Sequence, residues 1–120
     1  MGVAGTVIDG VCRDLPALVE CGYPVFSKGY YMRTGKDRVY VAAVNVPVTL
    51  SDIPVRPGDI VIGDDTGVVV VPESVAERVA EIAENIDAKE QEILALVEQG
   101  RKLKEARELT GYHSLQTKEA

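Results

Sequence analysis

Apolar and polar positions follow strand-like and helical patterns in turn along this chain. Residues 3–8 (VAGTVI) form a short β-branched run that ends at Asp9-Gly10, which predicts a buried strand followed by a turn. Asp14 then stands where an N-cap belongs, with Pro16 in the first turn and Leu15, Leu18 and Val19 as the apolar stripe of a short helix. Gly22 suits the C′ position and Pro24 blocks continuation, so Val25-Phe26 begins a second strand. Strand, helix and strand make one βαβ-type unit. It opens almost at residue 3 with no flanking element before it, as part of a larger domain would.

Residues 27–37 are polar and predict a loop, whereas 38–50 (RVYVAAVNVPVTL) alternate on both faces and predict a strand that Pro47 ends or confines to an edge. Turns at 57–59 and 64–67 separate three short strands, 53–56, 59–63 and 67–71, a spacing that suits a meander or small closed barrel. From Pro72-Glu73-Ser74 onward the period becomes helical. Val75, Val79, Ile82, Ile86, Ile93 and Val97 make one stripe, broken only at 89/90, on a long helix that ends at Gly100. A second helical segment, 101–109, carries Leu103, Ala106 and Leu109, and a tail follows.

With 120 residues, 46% apolar and 27% charged, the chain has the composition of a globular domain able to bury one sizeable core. No apolar run approaches the roughly 18 residues of a membrane span, and the N-terminus lacks a signal peptide's basic and apolar regions, so a cytoplasmic location is expected. Residues 1–60 balance six Lys/Arg against six Asp/Glu, while residues 61–120 hold seven against thirteen, so the whole net charge of −6 lies in the second half. That is the opposite of a nucleic-acid footprint. One histidine, His113, excludes a His-rich zinc site, and Cys12 and Cys21 form no zinc framework.

The densest candidate chemistry is Asp9-Gly10-Val11-Cys12-Arg13-Asp14, a cation and two carboxylates after a strand. Ligands bind at the carboxyl ends of strands in α/β folds. Asp14 offers oxygen to a hard divalent cation, and Arg13 a bidentate grip on a substrate carboxylate. The plain alternative is a helix-capping aspartate beside a surface arginine. Glu90 occupies the break in the helical stripe and is either a solvated acid or a functional one. Cys12 beside Arg13 suits a small buried role, Lys28 and Lys36 solvated positions, Tyr30-Tyr31 packing or a cleft wall, Asp64 and Asp65 turns, and His113 the tail.

Three blocks occur in order: GTVIDGVCRDLPALVECGYPVF, VNVPVTLSDIPVRPGDIVIGDDTGVVVVP and KEQEILALVEQGRKL. Over residues 3–103 they resemble the C-terminal half of the RraA-like family, which includes class II 4-hydroxy-4-methyl-2-oxoglutarate aldolases and the regulator of ribonuclease activity A. The resemblance implies an α/β fold with a swivelling β/β/α domain, here a partial one. Residues 1–110 would be its C-terminal part and 111–120 a tail. It implies a homotrimer or hexamer and a metal-dependent lyase that cleaves such keto acids to pyruvate and decarboxylates oxaloacetate with Mg²⁺ or Mn²⁺. On the matching positions, Arg13 would contact pyruvate, Asp14 would ligate the metal, and Glu90 would reach the metal's water shell from a neighbouring subunit. The alternative within the family is a non-catalytic regulator that binds a ribonuclease or other protein partner. The aldolases also use an aspartate well upstream of the Arg-Asp pair. Counting back from Arg13 passes Met1, so the opposite wall of the site is expected to lie outside these residues.

Overall fold

The first strand runs past its expected end. In the computed structural model, which describes residues 2–115, β1 spans Thr6–Cys12. It pairs in parallel with β2 (Val25–Tyr30), Ile8 opposite Ser27 and Val11 opposite Gly29. Two residues of β1, Asp9 and Gly10, therefore face one residue of β2, Lys28. The pair expected to turn the chain forms a bulge instead, which bends the strand and lets pairing resume. The expected loop at 27–37 likewise yields its first four residues to β2.

The crossover helix α1 spans Leu15–Glu20. Asp14 precedes it in the left-handed region (φ 62°) and makes no side-chain cap. Its backbone carbonyl instead accepts from the Ala17 and Leu18 N–H groups at 3.1 and 3.2 Å. At the other end Gly22 has φ 63°, and the Tyr23 and Gly22 amides donate to the Leu18 and Val19 carbonyls. This is the Schellman closure that a C′ glycine favours.

Two antiparallel hairpins follow: β3 (Val48–Leu50) with β4 (Ile53–Val55), and β5 (Ile60–Asp64) with β6 (Gly67–Val71). Ser51 and Asp52 turn the first with φ of 46° and 70°, the positive pair that a tight type I′ hairpin needs. In the second, one oxygen of Asp64 accepts from the amides of Thr66 (2.8 Å) and Gly67 (3.1 Å) and from the Thr66 hydroxyl. Among the described residues the strands pair two by two, with no closed barrel. A Cβ on Gly63 would lie 2.5 Å from the Phe26 ring, so any larger residue there would have to displace that ring.

Residues 38–47 depart from expectation. They alternate like a strand, yet regular pairing starts only at Val48. A strand is stabilised by its partner, and among the described residues this segment has none.

The chain divides between Glu73 and Ser74 into two units. The division falls within a 3₁₀ turn (Glu73–Val75), and the second unit holds α2 (Ala76–Glu98), α3 (Leu103–Thr110) and α4 (Tyr112–Leu115). Residues 116–120, the end of the expected tail, lie outside the described residues. Both α3 and α4 pack on α2, burying Ile93 (6% exposed) and Ala106 (0%). Val75, Val79 and Ile82, earlier on the same stripe, stay exposed. In the β unit only Val71 is buried among the described residues, so the single sizeable core expected from length does not form. The α/β class with short sheets and a long C-terminal helix is the one expected.

Candidate functional site

The parallel pair brings two strand ends together. Cys12 and Tyr30 are the last residues in register, and the Tyr31 amide donates to the Cys12 carbonyl at 2.8 Å. The chain leaving β1 (Arg13, Asp14) thus runs beside the chain leaving β2 (Tyr31, Met32). A pocket of about 380 Å³ opens there, lined by Arg13, Asp14, Leu15, Pro16, Tyr30, Tyr31 and Met32. This is the carboxyl edge where α/β sheets hold ligands.

Within it the Arg13 Nε–H donates to Asp14 Oδ2 at 2.8 Å, with side chains 48% and 63% exposed. The carboxylate that would cap α1 is turned to the arginine instead. The left-handed backbone at Asp14 accompanies that choice. Only the Nε edge of the guanidinium is engaged among the described residues, which leaves the Nη groups for a ligand. Tyr31 is steadied from the other side, with the Arg33 guanidinium 5.9 Å from its ring centroid. Tyr30 and Tyr31, both exposed, stand among the residues that line this pocket.

A second polar node was hidden in the sequence. The Asp9 carboxylate pairs with Lys28 Nζ and accepts from the Ser51 amide (3.1 Å) and hydroxyl (3.2 Å). The Lys28 hydrogen bond is the largest of the effects that hold the Asp9 carboxyl below the usual aspartate range; desolvation, the next largest, opposes it, and the Ser51 amide and hydroxyl and the Lys28 charge reinforce it. The bulge puts Asp9 opposite Lys28, and nothing local announces Ser51 as their partner. Lys28 is half exposed, as expected for a solvated lysine, but it has a fixed partner. Asp64 is likewise held low, chiefly by the Thr66 hydroxyl and then by the Thr66 and Gly67 amides, as befits a turn former.

Glu90 lies in the helical unit. Its Oε1 accepts from the Tyr112 hydroxyl at 2.7 Å, and the Arg107 guanidinium lies 5.6 Å from the Tyr112 ring centroid. Neither open reading of Glu90 included this partner. The break in the apolar stripe is where α4 attaches. Cys12 and Cys21 are free thiols, with Cys12 Sγ 3.3 Å from Ser27 Oγ. Among the described residues no three His, Cys, Asp or Glu side chains gather as a metal cluster, and no helix is long and apolar enough to cross a membrane.

The family model RraA-like (Aldolase/RraA) matches residues 1–70. The chain belongs to the RraA-like family. Among similar proteins, Protein DlpA of Legionella pneumophila is 37% identical over 106 residues, covering 88% of this chain and 17% of that protein. A Halalkalibacterium halodurans protein named "Putative 4-hydroxy-4-methyl-2-oxoglutarate aldolase" is 35% identical over 88 residues, covering 73% of this chain and 41% of its own. The crystal structure of an uncharacterized protein from Pseudomonas syringae pv. tomato superposes with a TM-score of 0.85 at 40% identity, over 88% of this chain and 53% of that one. The chain therefore spans about half or less of these relatives' lengths.

Proposed function

We propose that the Arg13–Asp14 pocket is the substrate-facing part of a metal-dependent lyase acting on small 2-keto acids. The reaction would be retro-aldol cleavage of 4-hydroxy-4-methyl-2-oxoglutarate-type substrates to pyruvate, with oxaloacetate decarboxylation beside it. The observation that carries this is the pairing of arginine and aspartate at the joint carboxyl end of β1 and β2, in a pocket walled by Tyr30, Tyr31 and Met32. The name borne by the H. halodurans relative supports the same substrate class.

The donor chemistry fits a hydrated Mg²⁺ or Mn²⁺. Such ions are held by one or two carboxylates and keep several waters, and Asp14 supplies one exposed carboxylate with a single oxygen committed to Arg13. Once bound, the ion would polarise the keto oxygen as a Lewis acid. The Arg13 Nη groups would hold the substrate carboxylate bidentately and offset charge developing beside it. The Nε bond to Asp14 fixes the guanidinium plane, so the substrate is oriented before bond cleavage. Glu90 is a candidate for the ion's water shell from a neighbouring subunit of a trimer or hexamer. Reaching it would require exchange of the Tyr112 hydrogen bond.

The test is pyruvate release from 4-hydroxy-4-methyl-2-oxoglutarate or oxaloacetate by the assembled protein with added Mg²⁺ or Mn²⁺. Arg13→Ala should lower kcat/KM by about 10²-fold, the usual loss for one charge-stabilising donor, whereas Cys12→Ala should leave it nearly unchanged. Equal losses from both, or no metal-dependent release, would overturn the reading. A non-catalytic regulator is the second reading, favoured by the exposed acids of α2 (Glu77, Glu81, Glu84, Asp87), which suit a basic protein surface. Co-purification of such a partner without turnover would select it.

A further inference from the structure

The pocket at the carboxyl ends of β1 and β2 holds less positive charge than the substrates proposed for it require. 4-Hydroxy-4-methyl-2-oxoglutarate and oxaloacetate each carry two carboxylates. Of the residues that line the pocket, Arg13 alone is a cation, and Asp14 beside it is an acid. The Arg13 Nε–H is given to Asp14 at 2.8 Å, so its Nη groups can grip one carboxylate bidentately. The second carboxylate needs a donor elsewhere.

Arg33 is the first cation on the chain leaving β2, directly after the lining residue Met32. Its guanidinium lies 5.9 Å from the ring centroid of Tyr31, which also lines the pocket. Arg33 is exposed and makes no ion pair among the described residues. The other cations near these strands are committed, Arg13 to Asp14 and Lys28 to Asp9. A guanidinium set against an aromatic face keeps its N–H edges free. The contact with Tyr31 thus ties an uncommitted, bidentate donor to the pocket wall. It also reduces the side-chain freedom lost when a ligand is gripped.

We propose, resting on the keto-acid reading of this pocket, that Arg33 is a specificity-determining residue that binds the distal carboxylate, while Arg13 binds the carboxylate beside the keto group. The substrate class is thereby narrowed to 2-keto dicarboxylates. In both reactions a carbon–carbon bond breaks with its electron pair left on the pyruvate half, which then takes a proton from water. The distal carboxylate fares differently in the two. In retro-aldol cleavage the 4-hydroxyl loses its proton and becomes the keto oxygen of the departing half, and the distal carboxylate keeps its charge. In decarboxylation that carboxylate leaves as CO₂ and loses its charge. An ion pair to it therefore binds ground state and transition state alike in the first reaction, and favours the ground state in the second.

The test compares the unsubstituted chain with Arg33→Gln and Arg33→Lys, with Mg²⁺ present. In Arg33→Gln, KM for 4-hydroxy-4-methyl-2-oxoglutarate should rise about tenfold with kcat unchanged. KM for oxaloacetate should rise with kcat no lower. 4-Hydroxy-2-oxopentanoate, which lacks the distal carboxylate, should be cleaved equally by both proteins. Calorimetry reads the same contrast without turnover: 2-oxoglutarate should bind about tenfold more weakly to Arg33→Gln, and pyruvate equally well. Arg33→Lys keeps the charge and should recover part of the loss. Equal weakening of both keto acids would mark a structural role and overturn the proposal, as would unchanged 2-oxoglutarate affinity. An unsubstituted chain that binds neither keto acid overturns the keto-acid reading and the role of Arg33 together. The expected binding contrast without turnover overturns the lyase reading and upholds Arg33 as the distal carboxylate donor.

Discussion

Across α2, α3 and α4, Ala106 is fully buried and Ile93 nearly so, whereas in the β unit Val71 is the buried hydrophobic among the described residues and Val39, Tyr40, Val61, Ile62 and Val69 remain exposed. Both regions are rich in apolar residues, so composition does not explain the contrast. The cause is geometric. A helix satisfies its backbone internally, and one stripe is covered when the next helix folds back through a short connection. A two-stranded sheet leaves two outer edges and two faces, and isolated pairs are marginal without further layers. Glu90 therefore sits on locally closed structure, while Arg13 and Asp14 sit at the end of a two-stranded sheet.

The largest expected effect attacks the helical side of this contrast. Ile93→Ala should destabilise the α2–α3–α4 unit by about 2–5 kcal/mol, seen as early loss of helical circular dichroism on heating. A change below about 1 kcal/mol would mean that this unit has no core of its own.

Gly63→Ala tests the tightest approach in the β unit, where the added methyl meets the Phe26 ring. Displacing the ring should cost about 1–3 kcal/mol, read as a lower denaturant midpoint from the amide signals of β2 and β5. An unchanged midpoint would show that the ring moves aside freely, and that the β unit is looser than its geometry indicates.

Acid sharpens the same comparison. The folded-state pKa values of Asp9 and Asp64 are lowered, so their contribution is present above the unfolded aspartate value of about 3.9 and is lost as pH falls through the folded values. The amides of Ser51 and Thr66 should lose protection below about pH 4. Asp9→Asn with Asp64→Asn should remove much of that dependence, and an identical acid profile in the double variant would refute the assignment.

The smallest effect belongs to Tyr112→Phe, which deletes the hydrogen bond to Glu90. It should cost under about 1 kcal/mol and increase hydrogen exchange in α4 more than in α3. Equal exchange in both would remove the tyrosine as the attachment point.

The elements that were legible before folding share a local cause. α2 ends beside Gly100, α1 closes on Gly22, and the 64–67 turn forms because one aspartate reaches amides two and three residues ahead. Asp9-Gly10 was misread because a bulge and a turn use the same residues, and only the opposing strand distinguishes them. Segment 38–47 was misread because alternation reports a strand's faces but not whether a partner strand is present. Arg13-Asp14 was legible as adjacent charge. That the aspartate abandons its capping role for the arginine depends on the left-handed backbone at Asp14, which the residue type permits without dictating.

By itself, the sequence determined the α/β class, the βαβ start, the long acidic helix and the placement of arginine and aspartate after the first strand, because each follows from periodicity or from contacts a few residues apart. The tertiary structure alone decided that Tyr31 and Met32 face Arg13 and Asp14, that Ser51 and Lys28 share Asp9, and that Tyr112 holds Glu90. Those partners lie 17 to 42 positions away or on a separate strand. No local pattern selects one distant partner over another; the register of β1 against β2 and the folding of α4 onto α2 do.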